Sequence, residues 1–133
     1  MKRKANTVRR SPEQFKALFN TRTKAWKYYY DLIRTLYYNE RFEGCHLHHI
    51  MPRCVFDWGM LDDLFPNSKI MKDSPYNTCY VTLEEHTVLH YCLYLCATDR
   101  RLKDAMNWAW SKLAEQSKLT RQELKRTVYG KIQ

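Results

Sequence analysis

Apolar residues recur at helical spacing through most of this chain. Between Thr21 and Tyr38, the residues Ala25, Tyr29, Leu32, Ile33 and Leu36 fall on one face of a helix. Trp26, Tyr30 and Tyr37 widen that face, which predicts a helix buried on much of its circumference. Aromatic residues at helical spacing are usually core; the other reading of such a run is stacking on nucleobases. Upstream, "SPEQ" from Ser11 to Gln14 is a capping box with Pro12 at the first helical position, and it predicts a short helix to about Phe19. Thr82 and Glu85 form a second capping box, opening a helix to about Cys96. A further helix is expected from Asp99 to Ala114, with Leu102, Met106, Ala109 and Leu113 on one side. Thr120 and Glu123 form a third box, flanked by Leu119 and Leu124 as a hydrophobic staple.

Two segments break the helical period. Glu43 to Ile50 reads as a strand, and so does "NTCYVTL" from Asn77 to Leu83, with its β-branched and aromatic content. Residues Met51 to Tyr76 show no clean period and contain Pro52, Gly59, Pro66 and Pro75. They read as a long loop with a helical turn around Trp58 to Phe65. The expected fold is therefore mainly α with a small β-hairpin. It divides into a basic arm with N-terminal helices (1–42), a central unit (43–96) and C-terminal helices (97–133).

Composition sharpens this picture. The chain has 133 residues, 44% of them hydrophobic, enough for one domain with a real core. Lys and Arg number 23 against 14 acidic residues, a formal charge of +9. That balance suits a polyanionic partner, nucleic acid or an anionic membrane surface, although a merely soluble basic protein has the same balance. No apolar run approaches bilayer length, and the basic "MKRKANTVRR" is not followed by the apolar stretch of a secretory signal. Lys2, Arg3, Lys4, Arg9 and Arg10 instead suggest an arm that lies along phosphates; the cheaper reading is a solvated end. The five cysteines, an odd number without a signal peptide, point to reduced thiols inside a cell. Cys92 and Cys96 are most simply core residues, and no C-x-x-C pair offers a separate zinc site.

The candidate chemistry lies in "GCHLHHIMPRC", Gly44 to Cys54, which holds three of the five histidines. Neighbouring side chains on a strand point to opposite faces, so His48 and His49 must do different work. His86 and His90 lie one helical turn apart, and both imidazoles can reach one metal ion. A strand–loop–strand–helix unit would fold the doublet back onto that helix. One ring can then complete a three-imidazole site while the other faces whatever the metal binds.

"HLHHIMPR" (His46 to Arg53), "NTCYVTLEEH" (Asn77 to His86) and "HTVLH" (His86 to His90) together resemble the HNH endonucleases of the ββα-metal, or His-Me finger, fold. The pattern is similar to phage-encoded HNH proteins, and it covers Gly44 to Leu95. The resemblance implies a ββα-metal core embedded in flanking helices. It implies a metal-dependent DNA endonuclease that hydrolyses phosphodiester bonds and leaves 5′-phosphate and 3′-OH ends, as in homing endonucleases. By position, His49 matches the general base and Asn77 the asparagine that pins the connecting loop. His48, His86 and His90 match the ligands of one divalent metal ion, Mg²⁺ or Mn²⁺ for activity with Zn²⁺ or Ni²⁺ also accommodated. Arg53 matches a phosphate contact. DNA is the implied partner, with no membrane and no small-molecule cofactor, and the implied location is intracellular, the cytoplasm of a bacterial host if the chain is phage-encoded. Glu85 stands where relatives carry an acid, but a capping-box partner is its better reading.

Two features depart from the family pattern. The segment between His49 and Asn77 is longer than in such relatives, and His46 stands where many have glutamate. His46 shares a strand face with His48, which suits a supporting role better than ligation. The alternative function is a non-catalytic nucleic-acid-binding module with structural zinc. Such a module needs neither His49 nor Asn77.

Overall fold

A computed structural model of the chain describes residues 12–61 and 71–130. Helix α1 (Pro12–Leu18) begins at the expected proline, and α2 follows at Lys24–Leu36. The Thr23 side chain accepts a hydrogen bond from the Trp26 backbone N–H and so caps α2. Ala25, Tyr29, Ile33 and Leu36 form its buried face. Strand β1 (His46–His49) pairs antiparallel with β2 (Thr78–Val81), aligning His46 with Val81, Leu47 with Tyr80, His48 with Cys79 and His49 with Thr78. Both strands are shorter than the sequence pattern predicts. Asn77 is not part of β2: it closes a 3₁₀ turn (Pro75–Asn77) whose start is capped by Ser74.

Helix α4 (Leu83–Cys96) runs through the centre of the core, preceded in the chain by the short α3 (Arg53–Asp57). Thr82 and Glu85 exchange both bonds of the expected capping box. Thr87, Val88, Leu89, Tyr91, Cys92, Leu93 and Cys96 are all buried, so α4 is enclosed on most sides. Helix α5 (Arg100–Ser117) packs along it through Leu102, Met106 and Trp110, and α6 (Arg121–Tyr129) adds Leu124 and Val128. The segment that follows α1 is tied to the end of α4. The Asn20 N–H donates to the Cys96 carbonyl (2.7 Å), and the Thr98 N–H to that of Leu18 (2.9 Å). One apolar core thus draws residues from the N-terminal, central and C-terminal segments alike.

The long connection between the strands holds a helical turn that the sequence pattern does not predict, α3, ahead of the expected one, of which Met60 and Leu61 are helical. Pro52 occupies the N-cap of α3, and Gly59, with φ +69°, follows its C-cap Trp58. A residue with fixed φ starts the turn and one free to adopt positive φ ends it. Much of the expected turn at Trp58 to Phe65 lies outside the described residues, as do the basic arm and Ser11. Among the described residues no helix is long and apolar enough to cross a membrane. All five cysteines are free thiols, with Cys92 and Cys96 in the core as expected.

Candidate metal centre

Alternation along β1 separates the doublet. His48 turns inward and is fully buried, while His49 turns to the other side and keeps part of its surface in solvent. The inward face of β1 lies against α4, where His86 and His90 project from successive turns. His48, His86 and His90 each bring one ring nitrogen within 4.8 Å of the others. The structure therefore assembles the expected three-histidine group, and its donors suit a divalent ion.

The hydrogen bonds around this group fix where its lone pairs are. Tyr29 Oη donates to the Ile50 carbonyl at 2.6 Å, because a carbonyl can only accept. Its single hydrogen is then committed, so the 2.8 Å contact with His48 Nε2 requires that nitrogen to donate. His48 Nδ1 is left with a bare lone pair, buried and without a hydrogen-bond partner. An orphaned acceptor in a dry site is costly unless a cation or donor meets it. His86 Nε2 and His90 Nε2 lie 3.1 Å apart. Two nitrogens bound to one tetrahedral ion at about 2.0–2.1 Å are separated by roughly 3.3 Å, so that spacing fits joint ligation.

His46 stands behind His86, its Nδ1 at 3.0 Å from His86 Nδ1. It is placed to orient the His86 ring through the nitrogen that faces away from His90, which is the supporting position. Burial, first, and the neighbouring imidazoles, second, lower the pKa of His48 well below its ordinary value. The same causes bring His86 down to about 4 and His90 to about 3. All three are neutral at physiological pH, as metal ligation requires.

On the outer face, His49 Nε2 lies 2.9 Å from Asp73 Oδ1. That hydrogen bond is the main cause holding the Asp73 carboxyl below its usual pKa. An ionised carboxylate accepts only, so neutral His49 carries its hydrogen on Nε2 and its lone pair on Nδ1. Asn77 is fully buried and clamps the end of β1 to the loop. Its side chain accepts from the Met51 N–H (2.9 Å) and donates to the Met51 and Lys72 carbonyls (3.1 and 3.0 Å). Its own carbonyl accepts from the Ile50 N–H at 2.7 Å. Asn77 thus sets both the course of the chain after His49 and the segment that carries Asp73.

The remaining expected residues fall further out. Arg53 begins α3 with an exposed side chain, 3.9 Å from Asp57. Glu85 accepts from the Thr82 N–H at 2.8 Å in its capping role. Lys2, Arg3, Lys4, Arg9 and Arg10 lie outside the described residues. Two residues at the site gave no sequence signal. Tyr29 has the spacing of a core residue, and Asp73 sits in a segment without a period. No protein-family model, curated protein or solved structure matches the chain.

Removing the Tyr29 hydroxyl strands both the Ile50 carbonyl and the His48 N–H. Tyr29→Phe should therefore lower stability by about 1–3 kcal/mol and weaken divalent-metal affinity by about tenfold or more. Calorimetric titration with Zn²⁺ checks this, and unchanged affinity would reduce Tyr29 to a core residue. A second expectation concerns acid. The three histidines protonate near pH 6.5 in the unfolded chain but only at much lower pH in the folded one. Below pH 6.5 the unfolded state binds more protons, so stability falls as pH falls, through about pH 4 and on to about pH 3. Metal-free protein in chelator should lose thermal stability between pH 6.5 and about 4.5, before most carboxylates titrate. A flat melting temperature across that window would contradict the buried, neutral assignment.

Proposed function

We propose that this protein is a metal-dependent DNA endonuclease of the HNH type, with the β1–β2–α4 unit serving as its ββα-metal core. The observation that carries the reading is the split doublet. His48 joins His86 and His90 on the inner face, while His49 faces outward against Asp73. A structural zinc module has no use for the outer pair.

In this reading His49 is the general base. Asp73 accepts the Nε2 hydrogen bond and holds the ring, in the way a carboxylate orients a catalytic imidazole. His49 Nδ1 then takes a proton from a water molecule as its oxygen attacks phosphorus. The bond from phosphorus to the 3′ oxygen breaks, that oxygen leaves with a solvent proton, and the 5′ phosphate stays on the other strand end. When bound by His48, His86 and His90, a divalent ion supplies positive charge against the charge that builds on the phosphoryl and leaving oxygens. Asn77 keeps His49 and Asp73 in register through its bonds to Met51 and Lys72. Arg53, exposed at the start of α3, is available to a flanking phosphate. The net charge of +9 supports a polyanionic substrate, and the basic arm contributes to it.

The test compares the two neighbours in nicking of supercoiled plasmid with Mg²⁺ or Mn²⁺. His49→Ala should keep metal affinity and lose on the order of a hundredfold or more in rate, the scale of general-base removal. His48→Ala should lose metal affinity, and its activity should recover in part at high metal concentration. Added metal raises occupancy of a weakened site but cannot replace a proton acceptor. If His49→Ala cuts at the wild-type rate, or if wild-type protein never nicks with either metal, the nuclease reading fails.

A further inference from the structure

An open groove of about 870 Å³ lies between α2 and the Pro75–Asn77 turn, with Ile50, the residue after the doublet, in its wall. The nuclease reading gives it no task. Its volume falls within the range of small-molecule sites. Tyr30 on α2, Tyr38 just beyond that helix and Tyr76 on the turn line it. Their exposures are 48%, 36% and 41%. A single exposed tyrosine needs no explanation, but three around one groove form a surface with a use.

The charge of the groove narrows what that use is. Its ionisable lining, apart from tyrosine, is Asp31 and Arg34, one of each sign. In a chain of net charge +9, this groove is locally neutral and is a poor track for phosphates. It suits a flat, uncharged ring system with donors and acceptors on its edge. Tyrosine faces stack with such rings, and the Arg34 guanidinium, 5.8 Å from the centre of the Tyr30 ring, extends the flat surface. An aliphatic ligand would match the rings but leave the carboxylate and guanidinium without partners.

Position links the groove to the chemistry. Ile50 and Asn77 form part of its wall. Ile50 directly follows His49, and Asn77 clamps the same turn of chain. The groove wall and the His49 ring are thus carried by the same short, clamped stretch of chain.

We propose that this groove binds an unpaired nucleobase of the strand on which His49 acts. The ring stacks among Tyr30, Tyr38 and Tyr76, and its edge bonds to Asp31 and Arg34. The identity of that strand rests on the nuclease reading above. Bases inside a duplex are not available to such a groove, so the substrate is single-stranded there or has a base turned out of the stack.

The test is fluorescence anisotropy on the full chain in chelator, where no cutting occurs. The probes are a short single-stranded DNA and an abasic strand of equal length, which keeps the phosphates and lacks the bases. Wild-type protein should prefer the base-bearing strand by about tenfold or more, the scale of base–aromatic stacking. The double variant Tyr30→Ala/Tyr76→Ala should lose that preference, and Tyr30→Phe/Tyr76→Phe should keep it, because phenylalanine retains the ring. Both positions are exposed, and a melting curve confirms that each variant is folded. Equal binding of the two strands by wild-type protein, or an unchanged preference in a folded alanine variant, overturns the proposal. Plasmid nicking is measured separately. Nicking without a base preference removes the groove proposal and leaves the nuclease. Base preference without nicking in any divalent metal removes the nuclease and leaves a nucleobase site.

Discussion

The single hydrogen of the Tyr29 hydroxyl joins the core to the site. It goes to the Ile50 carbonyl, and so the hydroxyl oxygen must accept from His48. One bond thereby anchors the end of β1 to the central face of α2 and selects the tautomer of a buried imidazole. The cost of leaving His48 Nδ1 without a partner is what makes the inner face of β1 a site rather than ordinary core. His86 and His90 reach it because the capping box at Thr82 starts α4 immediately after β2. The antiparallel register then places that helix against the histidine strand.

The opposite face of β1 depends on a different constraint. Asn77 is buried among backbone groups that no regular structure satisfies, and its side chain bonds to Met51 twice and to Lys72 once. These bonds draw together two ends of a connection that is otherwise long and aperiodic. Asp73 meets His49 only because that closure is in place. Ion pairing of Lys72 with Asp57 at 3.1 Å adds a weaker tie from the same segment to α3. Rigid framework on the inner side and a pinned loop on the outer side produce the two environments of adjacent histidines.

Helix positions were legible in the sequence because capping is local. Thr82 with Glu85 and Thr120 with Glu123 each satisfy backbone donors within one turn, and both boxes form as the spacing implies. The inner site was legible for a related reason. A four-residue interval fixes His86 beside His90, and strand alternation separates His48 from His49. Tyr29 and Asp73 were not legible. Their partners lie 19 and 24 residues away, and nothing in the local pattern marks a tyrosine on an apolar face as a hydrogen-bonding one. The short α3 was not legible: the expected turn around Trp58 to Phe65 begins at Met60 and Leu61, which are helical, whereas α3 lies one turn earlier, where Pro52 and Gly59 bound a stretch with no apolar period. The proposed ββα-metal core and the proposed nuclease activity rest on the resemblance of the motifs together with the geometry of the doublet.

In the proposed function, both faces of β1 take their roles from one divalent ion held by His48, His86 and His90. X-ray absorption at the zinc edge, on protein loaded with one equivalent of Zn²⁺, addresses that ligation most directly. Three imidazole nitrogens at about 2.0–2.1 Å and no sulfur in the shell are expected, with one imidazole fewer in His48→Ala. A sulfur ligand at about 2.3 Å, or an unchanged imidazole count in that variant, would contradict it.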